Sequence, residues 1–411
     1  MYKLRDYQQE AVDVAVDHLR GYGKPFIIQA ATGAGKSLII AAICREIDDP
    51  VLILQPNREI LLQNYAKLLS YDPMIDATIY SASVGQKKIG RFTFATIGSI
   101  KNIPEQFKHF KYVLIDECHG VNPKNLNGML TKFLKAIDCK NVCGLTATPY
   151  RIDTLWKRLP WGDLESTASL KMVTRISKSP FFKKIAYKIE TAELIERGYL
   201  VPIKYFIEES DWSRLTVNST GADFKDDEKL AKFNKSKVGR IGAAIQYSEK
   251  NNNRTLVFCS SIAQAREVQQ NMQDLGVICS VVTGSTPMSE RALRIEDFQS
   301  GKIKHMLNVG VFTTGFDVPS LDCIVMARPT MSLALWYQIV GRGVRLDENN
   351  PKKVLQVYDM VAVTKRLGRV ESIRVKSNAT GRQDEVWSER GRMDNVELYS
   401  FIVTPKIKEE S

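Results

Sequence analysis

Eight residues carry the clearest chemistry in this chain. Ala30-Ala31-Thr32-Gly33-Ala34-Gly35-Lys36-Ser37 follows the apolar run Pro25–Gln29 and precedes another apolar stretch. Small residues between a strand and a helix let backbone N–H groups face an anion, and the helix N-terminus adds partial positive charge. Thr32, Gly33, Ala34 and Gly35 then form a phosphate cradle. Lys36 reaches the β- and γ-phosphates, and the Ser37 hydroxyl ligates Mg²⁺. Ala30 stands where the strict pattern has glycine. A second constellation is Asp116-Glu117-Cys118-His119. An Asp at a neighbouring strand end can hold Mg²⁺, and Glu117 is placed to orient or deprotonate an attacking water. An acidic pair after a strand is weak evidence alone; paired with the cradle it reads as the other half of one nucleotide site.

These side chains need a scaffold that brings strand ends together. In residues 1–150 short apolar strands (Pro25–Gln29, Val51–Leu54, Phe92–Ala95, Tyr112–Ile115, Val142–Leu145) alternate with helical stretches such as Ser37–Ile47 and Arg58–Leu69. That alternation predicts a parallel sheet with helices on both faces. Residues 151–203 break the pattern as a basic, aromatic insertion and connector, irregular over 151–186 and helix-like at Thr191–Arg197. Residues 210–236 read as a polar loop or linker. A second α/β series, within 204–365, has strands at Thr255–Cys259, Ile278–Val282, His305–Asn308, Cys323–Ala327 and Val354–Tyr358. Its helices are Ile262–Leu275, Ser289–Gln299 and Leu333–Val340. Residues 366–411 form a C-terminal extension to which the sequence assigns no structure.

Composition narrows the function classes. In 411 residues, 44% apolar content excludes a mainly disordered chain. No apolar run approaches the roughly 18–20 residues that cross a bilayer, and Met1–Arg5 lacks the apolar core of a secretory signal. Net charge is +12, suited to a polyanionic partner. Seven cysteines are odd in number and scattered, as buried thiols in a reducing compartment would be. Cys139 and Cys143 are the only close pair, so no zinc site is expected. The expected location is cytoplasmic, in a bacterial cell or a phage-infected host.

With these motifs in hand, the chain resembles a superfamily 2 helicase over roughly residues 4–360. Gln8 within Leu4–Glu10 looks like the adenine-reading glutamine. Gln55-Pro56-Asn57-Arg58-Glu59 and Thr96-Ile97-Gly98-Ser99 look like motifs Ia and Ib, and Thr146-Ala147-Thr148-Pro149 like motif III. Val257-Phe258-Cys259-Ser260 is similar to motif IV, Thr313-Thr314-Gly315-Phe316-Asp317-Val318-Pro319 to motif V, and Gln338 to Arg345 to motif VI. The details look closest to RadD-like and RecG-like DNA helicases and to phage branch-migration helicases. The chain departs from the first in having no cysteine-rich zinc segment, and from the second in that its glutamine motif begins at residue 4.

The resemblance implies two tandem RecA-like lobes, ATP with Mg²⁺ at Ser37 and Asp116, and transition-state cations from Arg342 and Arg345, with Gln338 in the same motif. Asp317 would bind the ribose or position motif VI. Thr146 and Thr148 would couple the site to the strand. Hydrolysis would remove the ligand holding the lobes together, and each cycle would advance the chain along nucleic acid. By motif position the phosphate contacts are Arg58, Thr96, Ser260, Thr283, Gly284, Thr313 and Gly315. Lys183 and Lys184, among Trp156, Trp161, Phe181 and Phe182, suggest a further contact, the alternative being a local mini-core. The basic stretch Val363–Arg369 reads as a solvated face. The leading expectation is an ATP-dependent DNA helicase or translocase acting on forked or four-way DNA in repair, recombination or replication, with no membrane partner and no required oligomer. An RNA helicase and a nucleic-acid sensor or clamp with little turnover are the alternatives.

Overall fold

The computed structural model describes residues 3–120, 128–175, 180–218, 223–311, 318–378, 384–394 and 397–403. The chain divides into two compact units. One comprises Met1–Arg151 and Lys171–Leu194; the other comprises Ile152–Leu170 and Ile195–Ser411. The stretch expected as a separate insertion is thus shared between the two.

The first unit is built on β1 (Phe26–Ala30), β2 (Val51–Gln55), β3 (Ala77–Ser81), β4 (Gln86–Lys87), β5 (Phe92–Thr96), β6 (Tyr112–Asp116) and β7 (Asn141–Thr146). A pair of strands follows, β8 (Tyr150–Arg158) and β9 (Leu164–Met172), and then β10 (Ile185–Ile189). The first sheet runs β10-β1-β7-β6-β2-β5-β3-β4. All its pairs are parallel except β3–β4. Every residue of β1 and β2 is buried, which is why these strands read as unbroken apolar runs. The helix Asp6–Gly21, which the sequence reading did not assign, buries Tyr7, Ala11, Val12, Ala15 and Leu19 at helical spacing.

The irregular reading of 151–186 is corrected by these strands. In β9 Ser166, Ala168, Leu170 and Met172 are buried while their neighbours are partly exposed, the period-2 signature of a half-covered strand. Phe182 is fully buried in the core beneath β6, with Cys118, Val173 and Phe133. Phe181 packs edge-on against it at 4.9 Å. Within the strand pair, exposure is concentrated at the far end, where Trp156 is 39% and Trp161 68% exposed.

The second unit carries β11 (Ile203–Ile207), β12 (Thr255–Phe258), β13 (Cys279–Thr283), β14 (His305–Val309), β15 (Cys323–Met326) and β16 (Leu355–Asp359). They form a second sheet in the order β11-β16-β15-β12-β14-β13, parallel throughout. The linker reading of 210–236 fails. A helix spans Glu228–Lys235, capped by the Asp227 carboxylate. The buried Trp212 indole donates to the Val361 carbonyl at 2.8 Å, and Arg328 pairs with Asp223.

The described residues of the C-terminal extension are structured. β17 (Arg374–Ser377), β18 (Asp384–Ser388) and β19 (Gly391–Arg392) form an antiparallel sheet. β20 (Glu397–Val403) pairs antiparallel with β9. In the nearby stretch read as a solvated basic face, Arg366 stacks 4.2 Å from the Trp212 ring.

Two α/β lobes with parallel sheets are therefore as expected. One glycine sets a steric limit in the first. A methyl group on Gly144 of β7 would lie 2.7 Å from Cys118 Sγ and 2.8 Å from Phe182 Cε1, both fully buried. Gly144→Ala should cost about 1–3 kcal/mol of stability by overpacking, read as a lower melting temperature. An unchanged value would show that this core yields freely.

Candidate functional site

The phosphate cradle forms because its loop can turn. Gly33 and Gly35 have φ of +88° and +84°, a region in which glycine alone is unstrained. Gly35 caps the helix Lys36–Glu46, whose first N–H groups have no carbonyl partner within the helix. The Ala34 carbonyl is held by two donors from the N-terminal helix, Tyr7 Oη at 3.0 Å and Gln8 Nε2 at 2.9 Å. Gln8 Oε1 in turn accepts from Arg5 N at 2.9 Å. Gln8, expected to read adenine, thus also anchors the loop.

The acidic pair sits at the end of β6. Asp116 Oδ1 accepts from Glu117 N at 2.9 Å, and Oδ2 accepts from the buried Asn64 amide at 2.7 Å. Asn64 spends its other N–H on Gln55 Oε1 at 3.0 Å, so both amide protons orient it. Glu117 has φ of +47°, a costly conformation for this residue type. That turn aims its carboxylate at Lys36 Nζ, 3.5 Å away, and at His119 Nδ1, 3.3 Å away.

Motif III closes the network. The Thr146 hydroxyl donates to Glu117 Oε2 at 3.4 Å and shares a 2.8 Å hydrogen bond with His119 Nδ1. Thr148 N donates to Thr146 Oγ1 at 3.1 Å.

The two carboxylates are driven apart. Burial, and then the charge of Glu117, push Asp116 up from the usual carboxylate range, against Lys36 and the Asn64 hydrogen bond. Burial also opposes ionisation of Glu117, but Lys36 and His119 more than offset it and hold Glu117 far below that range. Glu117 is therefore the firmly ionised partner. Asp116 is a carboxylate whose charge is expensive without a cation. A hydroxyl at Ser37 and a carboxylate at Asp116 are hard oxygen donors of the kind Mg²⁺ takes. These residues fit a magnesium nucleotide.

The remaining candidates fall into three groups. Arg58 opens the helix after β2, behind the Asn57 cap. Thr96 ends β5, its hydroxyl 2.9 Å from Ser99 Oγ. In the second unit Ser260 follows β12, with its N–H on Gln264 Oε1 at 2.9 Å. Thr283 ends β13, and Arg291 donates to the carbonyls of Thr283 and Gly284 at 3.2 and 3.3 Å. All of these lie at or just beyond the carboxyl ends of parallel strands, where ligands of open α/β sheets bind.

Gln338 and motif VI form the second group. Gln338 is half-buried on the helix Leu333–Val340, and Arg342 is buried just beyond it. Burial pushes the Arg345 guanidinium down from its ordinary value. Thr313, Gly315 and Asp317 lie outside the described residues.

Lys183 and Lys184 are the third group, and the structure does not bring them to the others. Lys183 N donates to Pro25 O, and Lys184 O accepts from Ile27 N, at the amino end of β1. A five-residue strand puts them about 16 Å from the cradle end. The Lys183 ammonium donates to Pro180 O at 2.6 Å, and that of Lys184 lies 4.4 Å from the Tyr22 ring.

Two residues of consequence carried no sequence signal. Asn64 is one polar side chain in a helix, and Lys353 is one lysine in a polar turn. Their roles come from what surrounds them.

Residues 1–151 match the family described as type III restriction enzyme, res subunit, and residues 236–347 match the helicase conserved C-terminal domain. A candidate ATP-dependent helicase, IRC3 of Saccharomyces cerevisiae, is 27% identical over 386 residues, which cover 88% of this chain and 52% of that protein. The chain thus spans about half the length of that relative. The ATP-dependent DNA helicase uvsW of Enterobacteria phage T4 is 22% identical, with 86% of this chain and 68% of that protein covered. Among solved structures, a fragment assigned as an HsdR subunit of a type I restriction enzyme from Vibrio vulnificus YJ016 superposes with a TM-score of 0.65 at 21% identity. That match covers 90% of this chain and 66% of the other. No described helix is long and apolar enough to cross a membrane. A nucleotide-binding half and a helicase C-terminal half follow one another in a single chain, and the chain belongs to the superfamily 2 helicases.

Proposed function

We propose that this protein is an ATP-dependent DNA helicase or translocase that tracks along the phosphate backbone and remodels forked or four-way DNA. The observation that carries this reading is the joined network of Lys36, Glu117, His119 and Thr146. It ties the phosphate cradle to a strand end bordering the strand-contact candidates, as an engine coupled to a track requires. ATP lies on the cradle residues Thr32 to Ser37, and Lys36 holds its β- and γ-phosphates. Ser37 and Asp116 would hold Mg²⁺, which when bound would supply charge neutralisation for the phosphates. Glu117, ionised and aimed by its strained backbone, orients and deprotonates the attacking water. Arg342 and Arg345 stabilise the charge that develops on the transferred phosphoryl group. A ligand bound in one state and lost in the next shifts the conformational equilibrium, and each turnover becomes a step along the strand.

Arg58, Thr96, Ser260, Thr283 and Gly284 hold phosphates without reading sequence. The exposed end of the β8–β9 pair, with Trp156, Lys157, Arg158 and Trp161, offers stacking faces and cations at a branch point. It replaces Lys183 and Lys184 as the site of that contact. The names of the relatives above support the DNA assignment; action on branched substrates is the finer part of the proposal.

The test is ATPase stimulation across single-stranded DNA, duplex, fork, four-way junction and RNA. DNA should stimulate more than RNA of matched structure, and affinity should fall steeply with salt, each neutralised phosphate adding roughly 0.7–0.9 to the log–log slope. Trp156→Ala with Trp161→Ala should reduce fork unwinding more than single-strand-stimulated ATPase. Equal loss of both activities would assign the strand pair a folding role alone. Stimulation by RNA above DNA would overturn the substrate class.

A further inference from the structure

Lys353 is 3% exposed, and no carboxylate oxygen accepts a hydrogen bond from its ammonium among the described residues. Instead it donates to two backbone carbonyls, Pro319 O at 2.6 Å and Arg345 O at 2.8 Å. Pro319 is the last residue of motif V, and Arg345 the last of motif VI. One ammonium group therefore ties the ends of two motifs together.

The surroundings make this a fixed point. Val344, just before Arg345, is fully buried, and its carbonyl accepts from Val201 N at 2.8 Å. Lys353 N donates to Asn350 O at 3.0 Å, closing the turn that leads into β16. Gly343 runs so close to Leu355 that a side chain there would collide with it. The backbone on either side of Arg345 is thereby held by Val201 and by Lys353. Burying an ammonium with only neutral acceptors is costly, and an apolar residue of similar volume often serves stability as well or better. Stability alone does not account for a lysine here.

We infer that Lys353 is a positioning residue for turnover: by gripping the carbonyls of Pro319 and Arg345 it fixes the backbone from which the Arg345 guanidinium acts. This rests on the role proposed above for Arg345. The grip is strongest in the protonated form, whose charge strengthens both hydrogen bonds. Burial pushes the Lys353 ammonium down to about 8, opposed by Asp322 before β15 and by Asp347, and reinforced by Arg345. As pH rises past that value the amine has one donor fewer and no charge, and the clamp weakens. Folding stability moves the other way. Between about 8 and the unfolded value near 10.4, the unfolded chain holds the proton that the folded chain has lost, so this group alone makes stability rise with pH. A fall in kcat there is then not unfolding caused by Lys353.

The experiment compares wild type, Lys353→Met, Lys353→Arg and Arg345→Ala. It measures kcat and KM for ATP with single-stranded DNA from about pH 7 to pH 10, together with melting temperature. Wild-type kcat should show an alkaline limb near pH 8 at nearly constant KM. Lys353→Met should lose about 10²-fold in kcat, the scale of an ångström misplacement, keep its KM, and lose the limb. Lys353→Arg should recover part of the rate with no limb in this range, since a guanidinium stays charged. Wild-type kcat in Lys353→Met would overturn the inference, as would a limb that persists in Lys353→Arg. If Lys353→Met does not fold, the wild-type and Lys353→Arg profiles decide in the same terms. An active Arg345→Ala would instead overturn the role of Arg345; an inactive Arg345→Ala beside an active Lys353→Met would remove only Lys353.

Discussion

Lys36→Ala should abolish ATP turnover while leaving DNA binding without nucleotide largely intact. Two losses combine. The β- and γ-phosphates lose the cation that follows their charge into the transition state. Glu117 also loses the ammonium 3.5 Å from its carboxylate. That ammonium is the strongest influence holding Glu117 ionised against its burial. Without it the carboxyl moves up toward the ordinary carboxylate range and loses the ion pair that fixes its aim. Removing a single preorganised donor from an active site costs roughly 10²–10³ in rate, and here the carboxylate it positions is left without its partner as well. Lys36→Arg should rescue poorly, because a planar fork does not replace a compact ammonium between a phosphate and Glu117. Phosphate release and fluorescence-detected nucleotide binding, on one preparation, check the result. Turnover near wild type in Lys36→Ala would show that this loop does not serve hydrolysis.

Arg345→Ala should separate binding from hydrolysis. Nucleotide affinity should change modestly, because the cradle and Lys36 lie in the first unit and are untouched. Turnover should fall by about 10³–10⁵, or about 4–7 kcal/mol of transition-state stabilisation. Single-strand binding should survive while unwinding disappears. Lys at this position should rescue little, since a point charge lacks the bidentate geometry that a phosphoryl group takes. The Arg345 guanidinium is partly withdrawn from water and pushed down from its ordinary value, a setting in which a charge acts more strongly on a ligand than at the surface. If affinity and turnover both stay near wild type, the cation belongs to Arg342 instead.

What could be read without the structure was local. The cradle, Asp116 and Glu117 announce themselves because phosphate binding needs small residues, a lysine and a hydroxyl in one turn, and those needs are met within eight consecutive positions. Strands such as Val51–Gln55, with every residue buried, read as apolar runs because no partner further along the chain is needed to explain them. The helix at Leu333–Val340 was placed to the residue.

What only the tertiary structure decided is pairing between distant stretches. β10 joins the sheet beside β1, more than 150 residues earlier, and β20 joins β9 from the far end of the chain. Phe182 became core rather than a stacking surface because it lies over Cys118 and Gly144. Lys183 and Lys184 became remote from the cradle because a parallel pairing with β1 sets them at its amino end. Asn64 and Lys353 acquired roles only from the atoms opposite them, Asp116 in one case and two carbonyls in the other. Residue type and spacing fix chemistry that is completed within one turn of chain. Hydrogen bonds and buried contacts between residues tens or hundreds of positions apart depend on which sheet edge is left to cover, and that is set by the packed fold as a whole.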